Sequence, residues 1–166
     1  LGDRAALPPL QVLLGDSNPY VRVYAAEALA RLGHPAGRQQ LTQALRHPHR
    51  SVAMYAAEAF SNLGEAAGAP RLIQALAPEE ETSTRLYAVW TLARLGDLRG
   101  LPVVEELLQH REMQVRLQAA WTFGEMPEAL PLPSLRRAVL DEAPHVRWQA
   151  AWALARQYAS GSVSGG

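Results

Sequence analysis

The stretch "VRVYAAEALARLG" (21–33) decides the fold, because its pattern returns four more times along the chain. The other copies are "VAMYAAEAFSNLG" (52–64), "TRLYAVWTLARLG" (84–96), "VRLQAAWTFGEMP" (115–127) and "VRWQAAWALARQY" (146–158). Successive copies start 31 or 32 residues apart. A fixed period in the range of about 20–50 residues is typical of repeat architectures. We therefore interpret the chain as five copies of one structural unit.

Each copy predicts one amphipathic helix of about three and a half turns. The turns that precede two of the copies, "DSNP" (16–19) and "DEAP" (141–144), supply side chains that cap helix N-termini. Gly33, Gly64 and Gly96 stand where a helix commonly ends in a left-handed glycine, and Pro127 takes that place in the fourth copy. The copies are thus predicted to be separate helices with defined ends.

A shorter apolar segment precedes each copy and predicts a second helix in every repeat. These segments are "ALPPLQVLLG" (6–15), "GRQQLTQALRH", "APRLIQALA", "LPVVEELLQH" and "LPSLRRAVL". The prediction is an all-α fold of about ten helices in five antiparallel pairs, an α-solenoid with a right-handed superhelical stack. We expect one solenoid domain over residues 1–158 and a flexible tail over residues 159–166. A solenoid end without a polar cap also predicts self-association or a longer parent chain.

Composition narrows the function classes. The 166 residues contain 16 basic and 16 acidic side chains, and this neutral balance argues against a nucleic-acid-binding protein. There is no cysteine, which excludes disulfides, thiolate metal sites and cysteine nucleophiles. No apolar run reaches the roughly 18–20 residues of a membrane span. We expect a cytoplasmic protein without a cofactor.

The sequence offers no convincing catalytic or metal site. Neither a P-loop nor a G-x-S-x-G motif occurs. The histidines fall at predicted turns or helix ends without a carboxylate cluster, and we expect structural or surface roles for His34, His47, His49, His110 and His145. These observations favour a binding module over an enzyme.

The repeated helix has two different faces. With its first residue at position 0 and 100° per residue, positions +4, +8 and +11 form one stripe, which holds Val21, Ala25, Leu29 and Leu32 in the first repeat. We predict that this stripe is core. Positions −1, +2, +3, +6 and +10 fall on the opposite side. The +2 residues there are Val23, Met54, Leu86, Leu117 and Trp148.

The opposite side carries eight of the eleven aromatic residues and several charges. We predict a partner-binding surface made of Tyr20, Tyr24, Tyr55, Tyr87, Trp90, Trp121, Trp148, Trp152, Glu27, Glu58, Arg31, Arg94 and Arg156. Tyr, Trp and Arg are the residues most enriched in binding hot spots. Two alternatives stay open: packing of the aromatics between repeats, and ordinary i,i+4 ion pairing of charges such as Glu27 and Arg31.

The arginines beside the first position of four copies have a more structural pattern. Arg22, Arg85, Arg116 and Arg147 recur together with the acids Asp16, Glu79 and Asp141, five residues before that position. We expect them to form bridges that fix the turns between helices.

The pattern V-R-x-x-A-A-x-A-L-x-x-L-G, with a period near 31, resembles the HEAT-like repeats first named after phycobilisome lyases. The resemblance spans residues 5–158. It implies a helical solenoid whose repeated helix lines the concave side. The family includes scaffolds, lyases, DNA-repair proteins and an iron-dependent hydroxylase. That hydroxylase holds its metal with His-Glu pairs in this helix, and no His-Glu pair occurs in this chain, which excludes its activity.

The function that these observations favour is a non-enzymatic scaffold that binds another protein through its aromatic and arginine-lined face. One alternative is a phycobilin lyase-like or tetrapyrrole-binding protein, because "RLYAVWTLARLG" (85–96) is similar to segments of lyase subunits. Base stacking on the aromatics would support nucleic-acid binding, but the neutral charge disfavours it. A purely structural segment of a longer chain is the remaining alternative.

Overall fold

A computed structural model describes residues 6–126 and 133–161, with side chains to residue 158. The predicted ten α-helices are found, and no strand occurs within these ranges. The helices are α1 (Leu7–Leu13), α2 (Pro19–Arg31), α3 (Pro35–Ala44), α4 (Arg50–Asn62), α5 (Ala69–Gln74), α6 (Thr82–Ala93), α7 (Leu101–Leu107), α8 (Met113–Glu125), α9 (Pro133–Ala138) and α10 (Pro144–Gly161). Short 3₁₀ turns precede α5 and α7. The all-α prediction is confirmed.

The chain forms two compact units, residues 1–72 and 73–166. In the first unit, α2 packs against α1, α3 and α4. The core there contains the predicted stripe residues Leu29 and Phe60, together with Leu41 from α3, all essentially inaccessible to water. Burial of such side chains contributes about 1.5–3 kcal/mol each. The repeated helices α2 and α4 thus supply most of this core.

The second unit is organised around α8, which packs against α6, α7 and α10. Its core contains Val89, Val104, Phe123 and Val146, and each side chain is fully buried. Small residues let the helices approach closely, as at Ala119 and Ala120 of α8. The extent of the single solenoid domain, residues 1–158, and the superhelical hand stay predictions. Helix α10 continues to Gly161, three residues into the predicted tail.

The predicted C-terminal glycines are confirmed by the backbone. Gly33, Gly64 and Gly96 have φ angles of 76°, 71° and 73°. Around the first of them, His34 N donates to Leu29 O at 2.8 Å and Gly33 N donates to Ala30 O at 3.0 Å. This is the Schellman arrangement, which satisfies the last carbonyl groups of a helix. Pro127, the exception in the fourth copy, lies outside the described residues.

The predicted N-terminal caps are also present. Asn18 Oδ1 accepts from Tyr20 N at 2.9 Å, and Asp141 Oδ1 accepts from Ala143 N at 2.9 Å. Histidine plays the same part at other turns. The Nδ1 atoms of His34, His47 and His110 each accept a backbone N–H two residues further on. These three histidines therefore have the structural role that their positions predict.

The arginines that follow the first position do fix the turns, although their partners differ from the prediction. Arg22 and Arg147 donate to the backbone carbonyls of residues 16 and 17 and of residues 141 and 142, and the predicted carboxylates are not their acceptors. Arg85 pairs with Glu106 rather than Glu79. Glu106, the partner of Arg85, belongs to the following repeat, and the spacing of the sequence does not reveal this pairing.

Three of the five +2 residues are buried, although they lie on the side of the helix opposite the predicted core stripe. Val23, Met54 and Leu86 are at most 6% exposed. The physical reason is that α2 contacts three other helices, so that packing covers more than the core stripe of the helix. Trp148, in contrast, is 67% exposed. None of the helices in the described ranges is long and apolar enough to cross a bilayer.

Candidate functional site

The first unit carries a cluster of tyrosines on α2 and α4, which we call the tyrosine patch: Tyr20, Tyr24 and Tyr55. The ring of Tyr55 lies edge-on to Tyr20 at 5.5 Å between centroids and is tilted to Tyr24 at 6.0 Å. Tyr24 is 56% exposed and Tyr20 36%, while Tyr55 is half-buried. Tyr20 and Tyr24 lie one turn apart on α2, which places both rings beside α4.

Two carboxylates predicted for the binding surface flank the tyrosine patch. Glu27 accepts from Arg31 Nη2 at 2.6 Å and from Asn62 Nδ2 at 3.1 Å, which links α2 to α4. The i,i+4 alternative for Glu27 and Arg31 is therefore observed. Glu58 lies three residues after Tyr55 and is partly exposed. The pKa of the Tyr24 hydroxyl is raised, first by burial and then by electrostatic repulsion between its ionised form and Tyr55, Glu58 and Glu27.

The second unit carries an apolar groove of about 410 Å³, which we call the tryptophan groove. Helix α6 and helix α8 form its two sides. The lining residues are Ser83, Leu86, Tyr87, Trp90, Gln118, Trp121 and Thr122. Trp121 is 50% exposed, whereas Tyr87 and Trp90 are half-buried. An open groove that displays large rings to solvent is the kind of surface that binds a partner or ligand.

The arginines of the second unit stack on two of its tryptophans. The guanidinium carbon of Arg94 lies 4.9 Å from the ring centroid of Trp90, and that of Arg156 lies 4.9 Å from Trp152. Tyr87 adds a tilted contact with Trp90 at 6.1 Å. Cation–π contacts of this kind hold a partly exposed ring in place and contribute about 0.5–1 kcal/mol. The Trp90 side of the groove is therefore partly ordered before any ligand binds.

Trp152 illustrates the packing alternative. Its ring lies against Gly124 of α8, so closely that a side chain added at Gly124 would meet atom Cζ3 at 2.4 Å. Arg156 also donates to Glu125 at 2.7 Å, which links α10 to α8 a second time. The predicted binding residues Trp152 and Arg156 thus help to join two neighbouring repeats.

The structure gathers six of the eight predicted aromatics into two sets and leaves Trp148 and Trp152 outside them. Three tyrosines meet in the first unit, and Tyr87, Trp90 and Trp121 meet in the second. Trp148 is exposed on α10. Sequence reasoning missed Ser83, Gln118 and Thr122 as groove residues. Ser83 occupies the −1 position that Tyr20 holds in the first repeat, which is the signal that could have revealed it.

A second cavity in the same unit, of about 530 Å³, opens at the turns before α8 and α10. Its polar side chains are largely engaged with one another. Arg116 donates to Asp141 at 2.7 Å, and both side chains are about one-tenth exposed or less. Gln109 donates to Ser134, and Arg137 donates to Gln109. In the described ranges no group of three His, Cys, Asp or Glu side chains could hold a metal ion.

The HEAT-repeat model matches residues 6–79 and 69–155. The chain belongs to the HEAT-repeat family. Its fold class is an α-solenoid built from pairs of helices, and the predicted family resemblance is confirmed. No curated protein matches this HEAT-repeat chain in sequence.

Solved structures share the fold at low sequence identity. A designed armadillo repeat protein in complex with the peptide (KR)4 is 20% identical, with a TM-score of 0.58 over 92% of this chain and 82% of that one. The complex of CpcE and CpcF of phycocyanin lyase from Nostoc sp. PCC7120 gives 20% identity and a TM-score of 0.57, over 98% and 70%. An engineered protein gives 17% and 0.51, over 96% and 86%. At these identities the similarity establishes the fold alone.

Proposed function

We propose that this HEAT-repeat protein is a non-enzymatic scaffold that binds another protein through the aromatic side chains of its repeated helices. The observation that carries the proposal is the tryptophan groove between α6 and α8. Its walls present Leu86, Trp90 and Trp121 along an open channel. Aromatic anchors that desolvate in a groove supply most of the free energy of protein association.

The groove geometry favours an inserted segment of a partner over a flat contact. Two helices form the walls, and the Arg94–Trp90 stack holds the Trp90 ring in place on one of them. A pre-ordered groove lowers the entropic cost of binding, because its side chains are already fixed. Ser83 and Gln118 provide polar groups at the sides, which can orient a peptide backbone. An apolar or aromatic side chain of the partner would fill the channel.

Two fold neighbours support a polypeptide as the occupant. The designed armadillo repeat protein is in complex with a peptide, and CpcE is in complex with CpcF. Both are helical repeat proteins with a polypeptide partner. The alternative occupant of the groove is a small aromatic ligand such as a tetrapyrrole, and that outcome is included in the test.

The test is a comparison of capture experiments with wild-type protein and with a Trp90→Ala/Trp121→Ala double variant as bait. Lysate of the source organism is passed over each, and bound proteins are quantified by mass spectrometry. We expect at least one protein to bind the wild type and to be depleted about tenfold or more on the double variant, because each hot-spot truncation costs about 2 kcal/mol or more.

The matched control is Leu140→Ala, which removes an 82%-exposed apolar side chain outside the groove. It should retain the partner fully. Equal capture by wild type and the double variant, with both folded by circular dichroism, would refute the groove assignment. Retention of a bilin by the wild type, seen as a changed visible absorption spectrum, with no depleted protein partner would replace the scaffold by the tetrapyrrole-binding alternative.

A further inference from the structure

Position +5 of the repeated helix is buried in the first four repeats and exposed in the fifth. The buried residues at this position are Ala26, Ala57, Val89 and Ala120. The fifth repeat has Ala151 there, and Ala151 is exposed. On the same side of α10, positions +2 and +9 carry Trp148, which is 67% exposed, and Ala155, which is also exposed. The residue at +5 is alanine or valine throughout, so the difference lies in what surrounds the helix.

Within the chain, the following repeat covers this side of the helix. Gly37 of α3 lies so close to α2 that an added Cβ would be 2.5 Å from Ala26 O. Two further glycines repeat this contact, Gly68 on Ala57 and Gly100 on Val89. At position +9, the ring of Trp152 lies on Gly124. Positions +5 and +9 therefore form the surface on which the next helical pair packs.

A polar contact between repeats identifies another position on this surface. Gln109, at position −6 of the fourth repeat, accepts from Arg137, at position −9 of the fifth repeat, at 3.0 Å. Leu140 occupies position −6 of the fifth repeat and is 82% exposed. The fifth repeat thus presents apolar side chains at the positions that meet a following repeat. We call this surface the last-repeat face: Leu140, Trp148, Ala151 and Ala155.

The first repeat presents the matching surface, which we call the first-repeat face: Val12 and Leu13 of α1. Val12 occupies position −9, the position of Arg137 in the fifth repeat, and is 77% exposed. Leu13 occupies position −8 and is 38% exposed. The −8 residue is buried in three other repeats, at Ala44, Leu107 and Ala138. Apolar surfaces that are exposed at inter-repeat positions indicate contact with another polypeptide.

We propose that the last-repeat face of one chain binds the first-repeat face of a second copy of this chain, so that the protein associates head to tail. In this contact Val12 meets Leu140 at the positions where Arg137 meets Gln109 within the chain. The first helical pair of the second copy covers Trp148 and the two alanines. The occupant is a second copy because one chain carries both halves of the contact at matching positions.

This contact is heterologous, because the two copies use different surfaces. A pair of copies still has one unoccupied face of each kind, so that further copies add as the protein concentration rises. None of the residues of the two faces lines the tryptophan groove. The contact therefore adds a second surface to the proposed scaffold and can be tested apart from the groove.

The test is sedimentation velocity of the 166-residue chain at concentrations from about 1 μM to about 1 mM, a range that includes weak specific association. We expect the average mass of the wild type to rise above the monomer mass of 18.1 kDa and to pass two copies. Trp148→Glu and Val12→Glu each place a charge in an apolar contact. Each should raise the dissociation constant about tenfold or more, as truncation of a hot-spot residue does.

A mixture of the two variants distinguishes the head-to-tail contact from a symmetric one. Trp148→Glu keeps an intact first-repeat face, and Val12→Glu keeps an intact last-repeat face. An equimolar mixture should therefore form a heterodimer of twice the monomer mass that grows no further. A symmetric contact through α10 alone would leave Val12→Glu associated and give no heterodimer, and this result would overturn the proposal.

The matched control is Met113→Glu, which adds the same charge at a 43%-exposed apolar residue outside both faces. It should associate as the wild type does, and an equal loss there would contradict a specific contact. If Trp148→Glu does not fold by circular dichroism, Ala151→Glu tests the same face. A wild type that stays monomeric up to about 1 mM would also overturn head-to-tail association. Neither result affects the groove test with Trp90→Ala/Trp121→Ala.

Discussion

The two units use the same positions of the repeated helix for different chemistry. In the first unit, position +6 carries Glu27 and Glu58 beside tyrosines at +3. In the second unit, position +6 carries Trp90, Trp121 and Trp152. Core positions change little between the units: Ala25 and Ala56 correspond to Ala88, Ala119 and Ala150, and all are buried.

This difference shows that packing constrains the buried face of the repeated helix more than its exposed face. A buried alanine must remain small because a neighbouring helix occupies the space beside it. A side chain that faces solvent has no such limit, so a position can change, as +6 does from Glu to Trp, without loss of the fold. Binding specificity in a repeat protein can therefore vary from repeat to repeat while the scaffold is kept.

The units also differ in the contacts that hold their turns and helices together. Arg22 in the first unit donates only to two backbone carbonyls, at 2.6 and 3.0 Å. Arg116 in the second unit donates to two carbonyls and also forms a buried pair with Asp141. In the first unit Gly37 of α3 lies against the backbone of α2, whereas in the second unit the ring of Trp152 lies on Gly124.

The largest expected effect comes from a substitution that breaks the buried ion pair between Arg116 and Asp141. Arg116→Met should lower the free energy of unfolding by about 3–5 kcal/mol, because it leaves the Asp141 carboxylate buried without its partner. Arg22→Met should cost about 1–2 kcal/mol, since only hydrogen bonds to partly exposed carbonyls are lost. Urea unfolding followed by circular dichroism measures both. An equal or greater loss in Arg22→Met would contradict the comparison.

A smaller effect on stability is expected from alanine substitutions at the two close-packed glycines, Gly37 and Gly124. In Gly37→Ala the new Cβ would lie 2.4 Å from Ala30 N, and α2 and α3 must move apart, at a cost of about 1–3 kcal/mol. In Gly124→Ala the Trp152 ring must shift and Ala153 Cβ, at 3.1 Å from the new Cβ, must give slightly, while the gain in helix propensity of about 1 kcal/mol offsets part of that cost.

Thermal unfolding should therefore show a larger loss of stability for Gly37→Ala than for Gly124→Ala. Native tryptophan fluorescence supplies the control, because all four tryptophans lie in the second unit. The spectrum should change in Gly124→Ala, where Trp152 is displaced. A fluorescence change confined to Gly37→Ala would show that the contacts are assigned wrongly.

The smallest effect is a pH dependence that arises in the second unit. Hydrogen bonds from Arg116, Arg85 and Arg99 hold the pKa of Asp141, Glu106 and Asp97, respectively, below the ordinary values of about 3.9 for Asp and 4.3 for Glu. The stabilisation is therefore complete above the unfolded-state pKa. It is lost as the pH falls through the lower folded-state pKa.

Asp141→Asn removes one of these groups and should flatten the decline of stability below about pH 4. Tryptophan fluorescence during urea unfolding at pH 3–7 measures it, because every tryptophan lies in the same unit as the three carboxylates. A decline as steep as that of the wild type would argue against a native pKa shift at Asp141.

Much of the scaffold could be predicted from the sequence, but less of the candidate site. The period of the repeat predicts ten helices, and the glycines at positions 33, 64 and 96 predict three helix ends that the φ angles confirm. The aromatic face yields Trp90 and Trp121 but not Ser83 or Thr122. The −1 position of Ser83 is the one sequence signal for these two residues, and the approach of α6 to α8 is what makes both of them part of a groove.

Local physical chemistry explains what the sequence determined by itself. Helix formation, capping and chain reversal depend on contacts within a few residues, so that the pattern of "VRVYAAEALARLG" is sufficient to specify them. The tertiary structure alone decided which +2 residues are buried, that Arg85 pairs with Glu106, and that the ring of Trp152 covers Gly124. The ion pair and the ring contact join residues at least 20 positions apart in the sequence. The burial of a +2 residue depends on how many helices surround its own helix. A periodic pattern on a single helix contains no information about its neighbours.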